Sequence, residues 1–150
     1  MDINRDAPAT ASAEALIRAP LNGVWSVLTN IGEWGRWNPD VRYVDMRGPL
    51  APGTEFRWKA GRASIVSLIQ ELEPKRRVAW TGRTLGIRAA HIWTFTEQEG
   101  GVLVRTEESF DGLVVRLFAG PMRRTLASSL LSGLNALKAE CERRFNAGKG

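Results

Sequence analysis

Residues 121–146 contain one proline, Pro121 at their very start, and a single glycine, Gly133. Their apolar residues, Met122, Leu126, Leu130, Leu134, Leu137, Cys141 and Phe145, recur at steps of three and four, which lines them along one face of a helix. Arg123, Arg124, Ser128, Lys138, Glu142 and Arg143 fall on the opposite face. Pro121 suits the first turn, where its missing N–H costs nothing, and Arg143 and Arg144 complement the dipole of the last, with Gly148 just beyond. Such a helix is about 35–40 Å long at 1.5 Å per residue, and its apolar face needs an equally long surface to lie on. The preceding residues have to build that surface.

They carry strand signals. Residues 12–19 read as a strand with Ala13, Ala15 and Ile17 on its apolar side, broken at Pro20. A short helix follows, with Val24, Trp25, Val27, Leu28 and Ile31 apolar and Asn22 as its cap. Gly32 and Gly35 punctuate a second short element holding Trp34 and Trp37, which Pro39 ends. Six strand-like segments come next, at 41–46, 54–60, 63–72, 77–82, 88–96 and 102–110, parted by turn signals such as Gly61-Arg62, Pro74-Lys75-Arg76 and Glu99-Gly100-Gly101. Residues 112–120 link to the long helix and are helical in part. Hairpin-joined strands with segregated helices predict an α+β fold: a seven-stranded curved antiparallel sheet around the C-terminal helix, with two short helices between strands 1 and 2.

The chain of 150 residues is expected to be one domain over 1–150, with an ordered core at about 11–146 and loose ends of ten and four residues. No apolar run approaches the roughly 18 residues of a membrane span, which predicts no integral membrane contact. A polar start without a signal-peptide core makes the cytoplasm the default location. The net charge of +5 raises nucleic acid or acidic membrane surfaces as partners, but the arginines are scattered and no nucleic-acid motif is present, so a solvated basic surface and no nucleic-acid partner are expected. One cysteine and one histidine exclude a disulfide and a Cys- or His-rich metal site, and no glycine-rich loop links a strand to a helix, so no metal or nucleotide cofactor is expected. Cys141, on the apolar helix face, reads as a small core residue.

From Ile17-Arg18-Ala19-Pro20 through Val24-Trp25-Ser26-Val27-Leu28, and on to Trp34-Gly35-Arg36-Trp37-Asn38-Pro39, the sequence resembles the SRPBCC superfamily. These are START-like, birch-pollen-allergen-like proteins, including the polyketide cyclase/dehydrase family. Glu71-Leu72-Glu73-Pro74 followed by Val78-Ala79-Trp80, and Gly101 followed by Val104-Arg105-Thr106, agree with it. The resemblance spans 12–145 and implies the helix-grip fold, with a hydrophobic cavity between sheet and C-terminal helix. The superfamily includes lipid carriers, receptors and aromatase/cyclases, and fold alone does not choose among them.

The inward strand faces are expected to line that cavity with Phe56, Trp58, Ile65, Ser67, Ile69 and Trp80. Further along the sheet come His91, Trp93 and Thr106. The helices add Leu28, Leu126, Leu130 and Leu134, and Trp34, Trp37 and Pro39 lie near one end. Six tryptophans either wall a site for a flat apolar ligand or simply fill the interior. His91 is the one side chain whose ordinary pKa lies near neutral. If Trp93 faces Val104 across the hairpin, His91 faces Thr106 with Glu108 one pair further on, a trio able to move protons; the alternative is a histidine satisfied within the sheet.

Three functions follow as expectations. The first is a carrier or sensor for a hydrophobic, aromatic or lipid-like small molecule. The second is a cyclase or aromatase using His91, Thr106 and Glu108. The third is a protein-interaction module with a basic face and a collapsed cavity. Exposed residues such as Ile92 or Leu103 leave room for a homodimer.

Overall fold

The computed structural model describes residues 1–146. Strands β1 (Ala9–Ile17), β2 (Val41–Met46), β3 (Glu55–Ala60), β4 (Ala63–Glu73), β5 (Arg77–Thr84), β6 (Ile87–Gln98) and β7 (Gly101–Asp111) form one antiparallel sheet. Its order is β1-β7-β6-β5-β4-β3-β2. From β2 to β7 every connection is local, as the alternating pattern and turn residues require. The one long crossing runs from edge to edge, through α1 (Leu21–Thr29), a 3-10 turn at Ile31–Glu33 and α2 (Trp34–Trp37). After β7 come α3 (Leu113–Leu117) and α4 (Ala119–Asn146), the latter about 40 Å long at 1.5 Å per residue. This is the expected α+β helix-grip arrangement. A bulge in β4 between Ile69 and Glu71 sharpens the bend of the sheet around the helix.

Leu126, Leu130, Leu134, Leu137 and Cys141 are buried along α4, as their spacing predicts. Leu134, Leu137 and Cys141 join Ile17, Val24, Leu28, Phe95, Val102 and Val104 in the main core. Each buried leucine contributes roughly 1.5–3 kcal/mol relative to exposure. The last turns of α4 are also tied to the end of β1. Lys138 Nζ donates to the Leu16 carbonyl at 2.8 Å, the Arg18 N–H donates to Glu142 at 2.9 Å, and Asn146 Nδ2 donates to the Arg18 carbonyl at 2.9 Å. Residues expected on an outer polar face therefore act as clamps. The ring of Phe145 lies over Gly23 so closely that a Cβ there would stand 2.5 Å from it, so any larger residue at 23 has to push the ring aside.

Several expectations need correction. The first ten residues are not loose: β1 begins at Ala9, and Ile3 is buried against Ala79 and Ile92 on the outer face of the sheet. Ile92 is thereby covered and offers no dimer surface. Asn22 lies inside α1, whose N-cap is Pro20 and which has no side-chain cap. Gly148 and the expected loose tail lie outside the described residues. The β6–β7 hairpin is shifted by two residues from the expected register. Gly100, at φ +87°, centres the turn on Glu99 and Gly100, so Phe95 pairs with Val104, Trp93 with Thr106 and His91 with Glu108.

Candidate functional site

Between the concave side of the sheet and the N-terminal half of α4 lies a cavity of about 660 Å³. That is within the usual range for a small-molecule site. It exists because the rows of side chains that would fill it are short. Ala60, Ala63, Gly82 and Ala89 face inward toward one end of the sheet, and Gly133 faces them from the helix. Toward the other end the same strands carry Phe56, Ile69, Val78 and Phe95, and the interior there is solid. A Cβ on Gly82 would press on Ser67 Oγ at 3.2 Å and Ile65 at 3.3 Å, so this position already sits tight against the wall.

Aromatic rings form the deep wall. Trp34 meets Trp58 edge-on at 5.4 Å between centroids and Trp80 at 5.3 Å. Trp80 meets His91 at 5.1 Å, and His91 meets Trp93 at 5.3 Å. The ribbon draws on three strands, β3, β5 and β6, because residues 58, 80, 91 and 93 all point inward and Trp34 drops onto them from the crossing between the sheet edges. Trp34 Nε1 donates to the Leu28 carbonyl at 2.7 Å and Trp58 Nε1 to Ser67 Oγ at 3.0 Å, which fixes both rings. Among the described residues, the Nε1 atoms of Trp37 and Trp93 are buried without a partner. Leaving an indole N–H unpaired costs on the order of 1–3 kcal/mol, so nothing in ordinary packing favours two of them in the wall of one cavity.

His91 and Glu108 line the cavity side by side. His91 Nε2 is 2.8 Å from Thr106 Oγ1, and Nδ1 is 3.6 Å from Glu108 Oε2. Burial pushes the histidine down to about 3 and the carboxyl up to about 8. At neutral pH the pair is therefore an uncharged imidazole beside a protonated carboxylic acid. Moving that proton from Glu108 to His91 leaves the net charge of the pair unchanged, and the low-dielectric surroundings select the form with no formal charges. The group holding a proton to give is Glu108, not the histidine that the sequence singles out. Thr106 is wholly buried and does not reach the cavity; it holds the imidazole from behind.

Of the expected wall, the structure brings Leu28, Trp34, Trp37, Trp58, Ile65, Ser67, Trp80, His91, Trp93 and Leu130 to the cavity. Phe56, Ile69, Leu126 and Leu134 are buried but packed away from it, because they sit beyond the emptied rows or against other elements. Pro39 is not among the lining residues. The wall missed in the sequence is its open side: Thr125, Ser128, Ser129 and Ser132 of α4, the turn residues Gly61 and Arg62, and Arg83, Thr84 and Ile87. Ser128, expected on the solvated face, lines the cavity. Ser132 Oγ donates to Asp40 at 2.9 Å across the entrance. The signal was present as hydroxyls at 125, 128, 129 and 132, a helical spacing beside the leucine face. The cavity is open, so the expected alternative of a collapsed interior is set aside.

A curved sheet gripping a long helix over a ring-lined cavity defines the START-like class of proteins. The family model described as polyketide cyclase / dehydrase and lipid transport matches residues 8–142, and the chain belongs to that family. No curated protein matches. Among solved structures, a hypothetical protein from Helicobacter pylori superposes with a TM-score of 0.83 at 19% identity, covering 93% of this chain and 91% of that one. A START superfamily protein from Mycobacterium smegmatis gives 0.75 at 15% identity, covering 89% and 97%. The Zhui aromatase/cyclase of a Streptomyces species gives 0.74 at 16% identity, covering 90% and 94%. At these identities the likeness is one of fold.

Proposed function

We propose that this protein binds an apolar, ring-bearing small molecule in the cavity between the sheet and the N-terminal half of α4. The observation that carries this is the open space of about 660 Å³ backed by the ribbon of Trp58, Trp34, Trp80, His91 and Trp93. Apolar burial drives binding, at about 25 cal/mol per Å² before ordering costs, and flat rings match a wall of rings. The family's description, cyclase, dehydrase and lipid transport, supports the same ligand class. The test is native mass spectrometry of the chain purified from its own host, followed by quenching of tryptophan emission with the co-purifying molecule. A bound molecule that quenches saturably and raises the melting temperature is the expected result. Failure of flat polycyclic and long-chain ligands alike to quench or stabilise overturns the reading.

A second reading rests on one specific feature, the uncharged Glu108–His91 pair facing the cavity. It supplies a proton donor and a proton acceptor on the cavity wall, the equipment for ring closure or loss of water in a bound polyoxo chain. On this reading Glu108→Gln abolishes turnover while binding survives, and Thr106→Val shifts the pH profile through the histidine it holds. A Glu108→Gln variant as active as the parent removes it.

A further inference from the structure

We infer that the lip formed by the β5–β6 turn and α3 docks on an anionic lipid surface. Among the described residues nine large apolar side chains are exposed, and four of them meet at this lip: Leu85, 93% exposed, Leu113, 70%, Leu117, 68%, and Phe118, 57%. They are neighbours in space. A Cβ on Gly86 would strike Val114 at 2.3 Å, and one on Gly112 would strike the Gly86 carbonyl at 2.2 Å, so the turn that carries Leu85 rests against the start of α3. Val115 anchors α3 from beneath, wholly buried with Ala9 and Leu126. Leu113 and Leu117 are thus held one turn apart on the outer face of a short helix that is itself fixed.

The charge around these side chains has one sign. Residues 83–88 and 111–124 contain Arg83, Arg88, Arg116, Arg123 and Arg124 against the single acid Asp111, a net of +4 in twenty residues. The whole chain carries +5, so the other 130 residues together carry +1. Arg88 and Arg116 both reach Asp111 at 3.4 Å from opposite sides, which places them at the base of the apolar tip. Leucine and phenylalanine projecting beyond a ring of guanidinium groups suit an interface of hydrocarbon below and phosphate above. A folded protein partner gains less from a tip so narrow, and a nucleic-acid backbone would engage the arginines alone. The same segments supply Arg83, Thr84, Ile87 and Met122 to the cavity wall, so docking here brings the cavity entrance to the lipid.

The assay is co-sedimentation of the full chain with phosphatidylcholine vesicles, and with vesicles that also contain about 30% phosphatidylglycerol, at low salt. It needs no cavity ligand, so its outcome is separate from that of the ligand titration above. The parent chain is expected to bind the anionic vesicles and to leave the neutral ones largely free. The double variant Leu113→Asp with Leu117→Asp, and separately Arg123→Glu with Arg124→Glu, are each expected to lower the bound fraction about tenfold. Circular dichroism stays as in the parent, since Leu113, Leu117, Arg123 and Arg124 are exposed; the leucine pair keeps the parent's melting temperature, and the arginine pair, which gives up the bond from Arg123 Nε to the Pro8 carbonyl, lowers it slightly. Absence of binding to anionic vesicles overturns the inference. So does binding that the leucine pair leaves intact, which is adsorption by charge alone. A dimer seen by analytical ultracentrifugation and abolished by the leucine pair assigns the lip to a second copy instead. Duplex DNA binding that depends on the arginine pair and ignores the leucines assigns it to nucleic acid.

Discussion

The two halves of α4 face the same sheet and meet opposite fates. From Leu134 to Cys141 the helix is packed against α1 and the strands without a gap, and its outer residues are clamped to β1. From Met122 to Gly133 one side of it roofs the cavity, with Leu126 packed against Ala9 and Val115 beside it. Backbone geometry does not make the difference, since both halves are regular helix over regular strands. Side-chain volume does. Where the strands present Val78, Phe95 and Val104 the interior closes, and where they present Ala60, Ala63, Gly82 and Ala89 it stays empty. Interiors are packed to the density of organic crystals, so an unfilled row this long supports the proposed ligand site.

The largest effect should come from breaking the solid half. Leu137 is wholly buried, and Leu137→Ala is expected to cost about 2–5 kcal/mol in urea unfolding, because it removes contacts and leaves a void with no lining ready to collapse. Glu108→Gln sharpens the comparison on the open side. The folded carboxyl titrates near 8 and the unfolded one near 4.5, so the parent's stability from this group is complete below pH 4.5 and is lost as pH rises toward 8. The variant should gain on the parent over that window, by up to a few kcal/mol, and then hold level; equal denaturant midpoints at pH 5 and pH 8 would refute the buried neutral acid. His91 adds the opposite slope: lowered in the fold, it withdraws stability as pH falls from 6.5 toward 3. The smallest effect should come from filling the emptied row. Ala89→Leu adds volume to open space, so stability should change by less than about 1 kcal/mol while ligand affinity falls about tenfold. Unchanged affinity would mean that the molecule binds elsewhere.

The fold was legible because its signals are periodic. Steps of three and four wrote α4, alternation wrote the strands, and Gly61 and Gly100 marked two hairpins. The wall of the cavity was half legible for the same reason: large inward residues such as Trp58, Trp80 and Trp93 stand out in the alternation. Its emptiness was not, because a hollow is written in residues that are small. Ala60, Ala63, Gly82 and Ala89 read as neutral in any strand, and only the assembled sheet sets them side by side. The His91 neighbourhood failed differently. A turn centred one residue away moves every cross-strand pair by two, so Glu108 rather than Thr106 stands opposite the histidine. The lip went unseen because α3 is five residues long, too short for periodicity to separate exposed leucines from buried ones.

The clamps on the final turns of α4 hold that end of the helix more firmly than the other. Lys138, Glu142 and Asn146 hold it to the end of β1 and Phe145 is seated on Gly23, whereas the arm that roofs the cavity is held by Leu126 against Ala9 and Val115, by Arg123 on the Pro8 carbonyl and by Ser132 on Asp40. Releasing Leu126, Arg123 and Ser132 widens the way in without unpacking Leu137. Amide protons from Leu126 to Leu131 should then exchange with solvent sooner than those from Leu134 to Cys141, and a bound guest should slow the first group alone.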